Sequence, residues 1–402
     1  MRNLYSRNTP RYYILIVLFL AFLFFSNDFG LLDVQKTAII TAAGIDREGD
    51  EFILTSQIAI PQSSSQGKST QAVQLVSRGK TISEAFEQIN AKTGWYPKLV
   101  FCKLLILGKK ATEQNVFDAL DFFLLDEYLT DDCQVTVCDG LAKEMLDTSA
   151  LVDATSSLAI EKVLSAHAER VGAVHPSTLK DFAIGHFGES KSALLPVLKK
   201  EKQQEESSSS QTAATQNGEQ NGQSGQNSEQ EKQKPVFSAK ETAMFVNGRW
   251  VGTLSPEETF AVNAATAKLR LASYSVNVQD ATCTLTVKHN DPKIKLSVGK
   301  EGKGRAHVSL TMTAGIADYS KALGVNELAD AGDVPDGVFA AAERKLAAEL
   351  TSAYEKARGV GCDVFGIKER LIKYKSHKYH TQKENFLDNT SFAVNVRFEG
   401  VR

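Results

Sequence analysis

The sequence predicts a mixed α+β protein, with two or more extracytoplasmic mixed-sheet domains behind an N-terminal hydrophobic anchor. Three observations carry that expectation. Short β-rich runs alternate along the chain with amphipathic helical stretches. One polar tract, residues 201–234, holds no aromatic residue and no aliphatic one larger than alanine. Near the start stands an unbroken apolar run of 14 residues, Tyr12–Phe25.

The chain has 402 residues, 42% hydrophobic and 23% charged, the balance of a folded protein. That length suffices for two or three cores. With 46 basic and 48 acidic side chains the formal net charge is −2, so bulk charge points neither to nucleic acid nor to an acidic partner.

In residues 1–30, Arg2, Arg7 and Arg11 precede the apolar run, and Asp28 and Asp33 follow it. A basic flank before an apolar stretch is the pattern of an export segment entering the membrane with its N-terminus inside. The run reaches about 21 Å as a helix, short of the roughly 30 Å hydrocarbon core. That length suits a signal-peptide core. The residues that follow, Ser26 to Gly30, hold no A-x-A-like cleavage site, and no cysteine precedes Cys102. The segment is expected to stay on the mature chain as an anchor, with a cleaved signal and a buried helix as the other readings.

Residues 31–200 are expected to form an α/β ectodomain. Thr37–Ile45 and Phe52–Ile60 are β-rich and flank a polar turn, so they predict a hairpin. Thr81-x-x-Glu84 is a capping box, opening a helix with Ile82, Ala85, Phe86 and Ile89 on one face. Leu99–Leu107 predicts a third strand. Thr112–Glu127 predicts a helix whose inner face carries Val116, Ala119, Leu120, Phe123 and Leu124. Cys133–Cys138 returns to strand, and helical stretches begin at Ala142–Leu146 and Ser157–Leu164. The tract 201–234 cannot offset its ordering entropy by burial and predicts disorder. It either separates two domains or interrupts one.

Residues 235–402 are expected to form a C-terminal α/β domain. Glu241–Leu254 reads as a hairpin turning at Asn247-Gly248. Alternating runs follow at Ser273–Val278, Ala281–Lys288, Ile294–Val298 and Ala306–Ala314. A long helix over Gly337–Arg358 aligns Phe339, Ala342, Leu346, Leu350 and Tyr354, and Phe392–Phe398 closes the domain as a strand.

Five cysteines with no C-x-x-C pair make no disulfide scaffold. Cys133 and Cys138 fall on opposite faces of one strand, leaving a bridge from Cys102 to either of them, or buried free thiols. Gly67-Lys68-Ser69 lacks the earlier glycine of a phosphate-binding loop, Gln62 standing in its place. His377 and His380 have no acidic third ligand beside them, and no hydrolase or metalloprotease motif occurs. No catalytic residue, metal ligand or cofactor site is therefore assigned. The patches suited to contact are two. Lys368, Arg370, Lys373, Tyr374, Lys375, Lys378 and Tyr379 form a basic aromatic run that could meet anionic lipid or a partner, or stand as a solvated face. Arg249 and Trp250 sit at the Asn247-Gly248 hairpin, as interface residues or, for Trp250, as core.

In order along the chain, several stretches resemble the Ger(x)C family, the C subunits of bacterial spore germinant receptors. LLDVQKTAIITAAGIDREGDEFILTSQIAIP (31–61) is similar to the family's opening strand, and GKTISEAFEQIN (79–90) to its first helix. LVFCKLLILGKKATEQNVFDALDFFLLDEYL (99–129) resembles its most specific block, a strand, Leu-Gly, then a helix ending Leu-Asp-Phe-Phe-Leu. SALLPVL (192–198), MFVNGRWVGTLSPEET (244–259), DVFGIKERL (363–371) and SFAVNVRFEGV (391–401) fit its later segments. The family is usually lipoprotein, and this chain lacks the acylated cysteine. The resemblance implies a non-catalytic receptor subunit on the outer face of the spore inner membrane. Its partners would be integral-membrane A-type and B-type subunits acting in nutrient-triggered germination, with no nucleic acid involved. A structural spore-envelope protein, or an exported enzyme acting on cell wall or small molecules, would be the alternatives.

Overall fold

The computed structural model describes residues 9–26, 37–60, 71–150, 153–165, 172–201, 236–278, 281–299, 302–320, 337–382 and 386–401. Apart from Glu201, which ends a strand, the polar tract expected to be disordered lies outside them, as does Gly67-Lys68-Ser69. A helix α1 (Thr9–Ser26) presents Tyr12–Leu20 and Phe22 outward. Its 18 residues rise about 27 Å. No helix among the described residues is long and apolar enough to cross a membrane.

The expected first hairpin forms from β1 (Thr37–Glu48) and β2 (Glu51–Ile60), turning at Gly49 with φ 62°. A strand not anticipated, β3 (Gln71–Gly79), pairs with Phe52–Ile60 of β2. Next comes α2 (Ile82–Thr93), where the Thr81 hydroxyl accepts from Glu84 N at 3.2 Å. The Glu84 carboxylate accepts from Lys80 N instead of closing the box on Thr81. The four expected residues of α2 are buried.

The expected strand over 99–107 is reduced to β5 (Leu104–Leu107). A short strand β4 (Tyr96–Lys98) ends just before that span, and Cys102 N bonds back to Leu99 O and turns the chain between them. The helix expected over 112–127 is shorter: α3 (Phe117–Leu125) starts late because Val116 N donates to Gly248 O across the fold. β6 (Gln134–Cys138), α4 (Ala142–Leu146) and α5 (Ser156–Leu164) fall where expected. Two elements were not anticipated as such: a helix α6 (Leu179–Phe187) and a strand β7 (Ser192–Glu201).

β8 (Val236–Val246) and β9 (Arg249–Leu254) lie beyond the polar tract, yet they complete the first sheet. Glu201 pairs with Val236, so the strands on either side of residues 202–235 are hairpin neighbours. The sheet runs β3-β2-β1-β5-β6-β7-β8-β9, with β4 also on β1. Its centre is parallel and its flanks antiparallel. Parallel strands buried on both faces read as continuous apolar runs, which is why Leu104–Leu107 is fully buried. Leu105 and Leu107 pack beneath α2, α3 and α6, whereas Leu104 and Ile106 pack beneath α4 and α5.

A second sheet follows helix α7 (Pro256–Ala265), which opens on a complete Ser255–Glu258 capping box. It consists of β10 (Ala272–Val278), β11 (Ala281–Val298), β12 (Gly304–Tyr319) and β13 (Thr390–Gly400). The two runs expected at 281–288 and 294–298 are one strand, carried past Pro292 with a bulge between Val287 and His289. Among the described residues only β12 pairs with β11 beyond Val287, and an open edge tolerates proline. One face is packed by α7, the long helix α8 (Val338–Gly359) and the start of α9 (Ile367–Gln382). Ala342, Leu346, Leu350 and Tyr354 are buried as the stripe required, with Phe339 half-buried. Met244 and Leu254 of the first sheet enter this second core, so the two sheets share a packed seam.

All five cysteines are buried free thiols. The bridge considered from Cys102 is not formed, although a hydrogen bond that the Cys133 thiol donates to Cys102, together with burial, holds Cys133 well above the usual thiol range.

Candidate interaction site

A groove of about 510 Å³ runs between α3 and α6 on the first sheet. Its floor is Phe123, Leu179 and Ala183, all buried, and its walls are Leu124, Leu129, Ile184 and Phe187. Ile184 and Phe187 stand 63% and 61% exposed, and neighbouring Leu125 stands 81% exposed at the end of α3. Large apolar side chains clustered on a surface mark interaction sites. The rim is acidic: Asp126, Glu127 and Asp131 face one cation, Lys180. Lys180 reaches Asp131 at 2.6 Å, and that carboxylate raises it above the usual lysine range.

The groove ends at Phe187 in a ladder of rings. His186 lies 3.9 Å from Phe117, Phe117 stacks on Phe182 at 5.3 Å, and Phe182 meets Phe245 edge-on at 5.2 Å. Phe245 in turn faces Trp250 at 6.5 Å. Burial lowers the proton affinity of His186, which favours a neutral ring within the stack. The ladder therefore joins the groove to the β8–β9 turn, where Asn247 and Gly248 have φ of 52° and 74°. Trp250 is half-buried: its Nε1 donates to Gly252 O at 2.8 Å, and Lys109 sits 3.7 Å over its ring. Arg249 is exposed.

The basic run occupies α9, bent at Lys375, whose φ and ψ are −140° and 39°. Lys368 and Arg370 are half-buried at its start, and Lys373 and Tyr374 are exposed, with the ammonium 5.4 Å from the ring. Lys375 is half-buried. Lys378 turns inward and donates to Val298 O at 2.9 Å. The side chain of Tyr379 lies outside the described residues. Asp363 caps α9, accepting from Ile367 N at 2.8 Å and Lys368 N at 2.7 Å, and burial pushes its carboxyl up to about 6.

The two patches chosen from sequence do not merge, but both abut residues 190–192. Asn247 N donates to Lys191 O, Ser190 N to the Glu369 carboxylate, and Asp363 N to Ser192 Oγ. Sequence reasoning did not find the groove, because α6 was not recognised. The signal was present: Thr178 caps it from Asp181 N, Leu179, Phe182 and Ala183 share a face, and Gly188 follows. Among the described residues no group of three His, Cys, Asp or Glu side chains could hold a metal.

Residues 32–200 match the domain described as "Spore germination protein N-terminal domain", and residues 240–400 match "Spore germination B3/ GerAC like, C-terminal". The chain belongs to the GerAC-like spore germination family. A solved structure described as "Crystal Structure of the GerBC protein" superposes with a TM-score of 0.51 at 16% identity, covering 89% of this chain and 96% of that one. At that identity the likeness establishes the two-sheet α+β fold. No curated protein matches the chain in sequence. The groove of this GerAC-like chain lies wholly within the N-terminal family domain, and α9 within the C-terminal one.

Proposed function

We propose that the chain is the non-catalytic C-type subunit of a nutrient germinant receptor. In this reading α1 holds it to the outer face of the spore inner membrane, and it works by docking to integral-membrane A-type and B-type subunits. The observation that carries the reading is the pair of family matches, which together take in nearly all of the folded chain. Two features support it. The α3–α6 groove offers a desolvatable apolar surface of the kind that anchors interfaces, and the Tyr12–Leu20 side chains of α1 are exposed, with no cover among the described residues. The test is recovery of partners with the tagged full chain from spore membranes, wild type against an Ile184→Asp/Phe187→Asp variant. Recovery of two membrane subunits with the wild type, lost in the folded variant, is expected. A wild-type chain that brings down no membrane protein would overturn the receptor reading and favour an envelope component.

A further inference from the structure

The second sheet buries one face under α7, α8 and α9, and no described helix covers the other. On that open face the register aligns side chains in rows across β11, β12 and β13. Ser297, Arg305 and Ser391 form one row, and Lys295, His307 and Ala393 form the next. Residues opposite one another in a sheet lie about 5 Å apart, close enough to interact. Lys295 and His307 are direct partners, and Arg305 is one row away on the same face. Two cations placed as closely as Lys295 and Arg305 repel unless an anion lies among them. The nearby acids are engaged elsewhere: Asp291 holds Lys293 at 2.7 Å, and Glu399 holds Arg397 at 3.1 Å. Among the described residues no carboxylate bridges Lys295, Arg305 or His307.

The Ser297–Arg305–Ser391 row opens into a pocket of about 470 Å³, completed by Lys303 and Asn389. It presents the Arg305 guanidinium and the Asn389 amide as donors that match phosphate oxygens, while the Ser297 and Ser391 hydroxyls donate to Arg305 O at 3.5 Å and Gly304 O at 3.4 Å. We infer that this pocket and the adjoining Lys295–His307 row bind the phosphodiester headgroups of an anionic lipid surface. The extent of the positive charge favours a surface over a single ion. Lys378 of α9, which donates to Val298 O at 2.9 Å, adds a further cation at the pocket's edge. This inference does not depend on the receptor reading, since it concerns lipid and not partner subunits.

The full chain, with α1 seated in a neutral phosphatidylcholine nanodisc, would be mixed with separate vesicles and floated. Vesicles with 30% phosphatidylglycerol should carry the protein up, and pure phosphatidylcholine vesicles should not. Near an anionic surface each basic residue strengthens binding about fivefold. Lys295→Gln/Arg305→Gln should therefore weaken vesicle binding about 25-fold. Both sites are exposed, so its unfolding midpoint should match wild type. Should that variant misfold, Ser297→Glu, which inserts one acid into the row, must also reduce flotation. Equal flotation with both vesicle types, or no loss in either folded variant, would overturn the inference. Inorganic phosphate binding that Arg305→Gln abolishes, with vesicle flotation unchanged by that substitution, would show a free-anion site and overturn the lipid claim. A poly-glutamate peptide that binds this row in place of vesicles would assign the surface to protein.

Discussion

Asp363 offers a sharp test of how burial shapes this protein. Its carboxylate is buried beneath the α9 N-terminus, where two N–H groups hold it, yet desolvation outweighs both bonds and pushes it up to about 6 from 3.8. A shift of about 2 units corresponds to about 3 kcal/mol. The folded state binds this proton more tightly than the unfolded one. The contribution is therefore fully present below about pH 4 and is lost as pH rises through about 6. Asp363→Asn keeps one acceptor for the cap but cannot ionise. Losing the second acceptor costs on the order of 1 kcal/mol at every pH. The change in ΔΔG between pH 4 and pH 8 isolates the ionisation, and it should favour asparagine by about 3 kcal/mol as pH rises. Urea unfolding of the full chain in neutral detergent, wild type against variant at unit pH steps, measures it. Glu349, also raised to about 6 by burial, remains in both proteins and cancels. A ΔΔG independent of pH would refute the reasoning.

Three further outcomes follow from the packing. Phe123, buried against Phe86 and Phe122, should lose about 3–5 kcal/mol on Phe123→Ala, read as the urea midpoint; a fully stable variant would deny its place in the core. A Cβ at Gly108 would stand 1.9 Å from Asp46 Oδ1, which accepts from Ala142 N at the start of α4 while Oδ2 accepts from Lys143 N. Gly108→Ala should thus cost about 2 kcal/mol, and Asp46→Ala should add little in that background, since both act through one cap. Because Glu201 and Val236 are paired, replacing residues 202–235 with a four-residue Gly/Asn/Ser turn shortens the closure about eightfold and should stabilise by about 2 kcal/mol in the same assay. A destabilised replacement would show that those residues contribute packing.

What the sequence determined alone was local. The α2 cap at Thr81, the α8 stripe from Ala342 to Tyr354, the Asn247-Gly248 turn and the β1–β2 hairpin each depend on residues close in the chain. Short-range spacing and turn chemistry encode such features, and the Ger(x)C resemblance was carried by the same stretches. Where the chain departed from expectation, a distant partner had intervened. Val116 spends its N–H on Gly248 and delays α3, and the strands after the polar tract join the first sheet through β7. The surfaces available for binding belong to this second kind. The groove needs α3 beside α6, and the basic row needs β11, β12 and β13 in one register. Lys295, Arg305 and Ser391 sit in separate stretches with no shared motif. Only strand pairing, set by burying the apolar inner face, places them side by side.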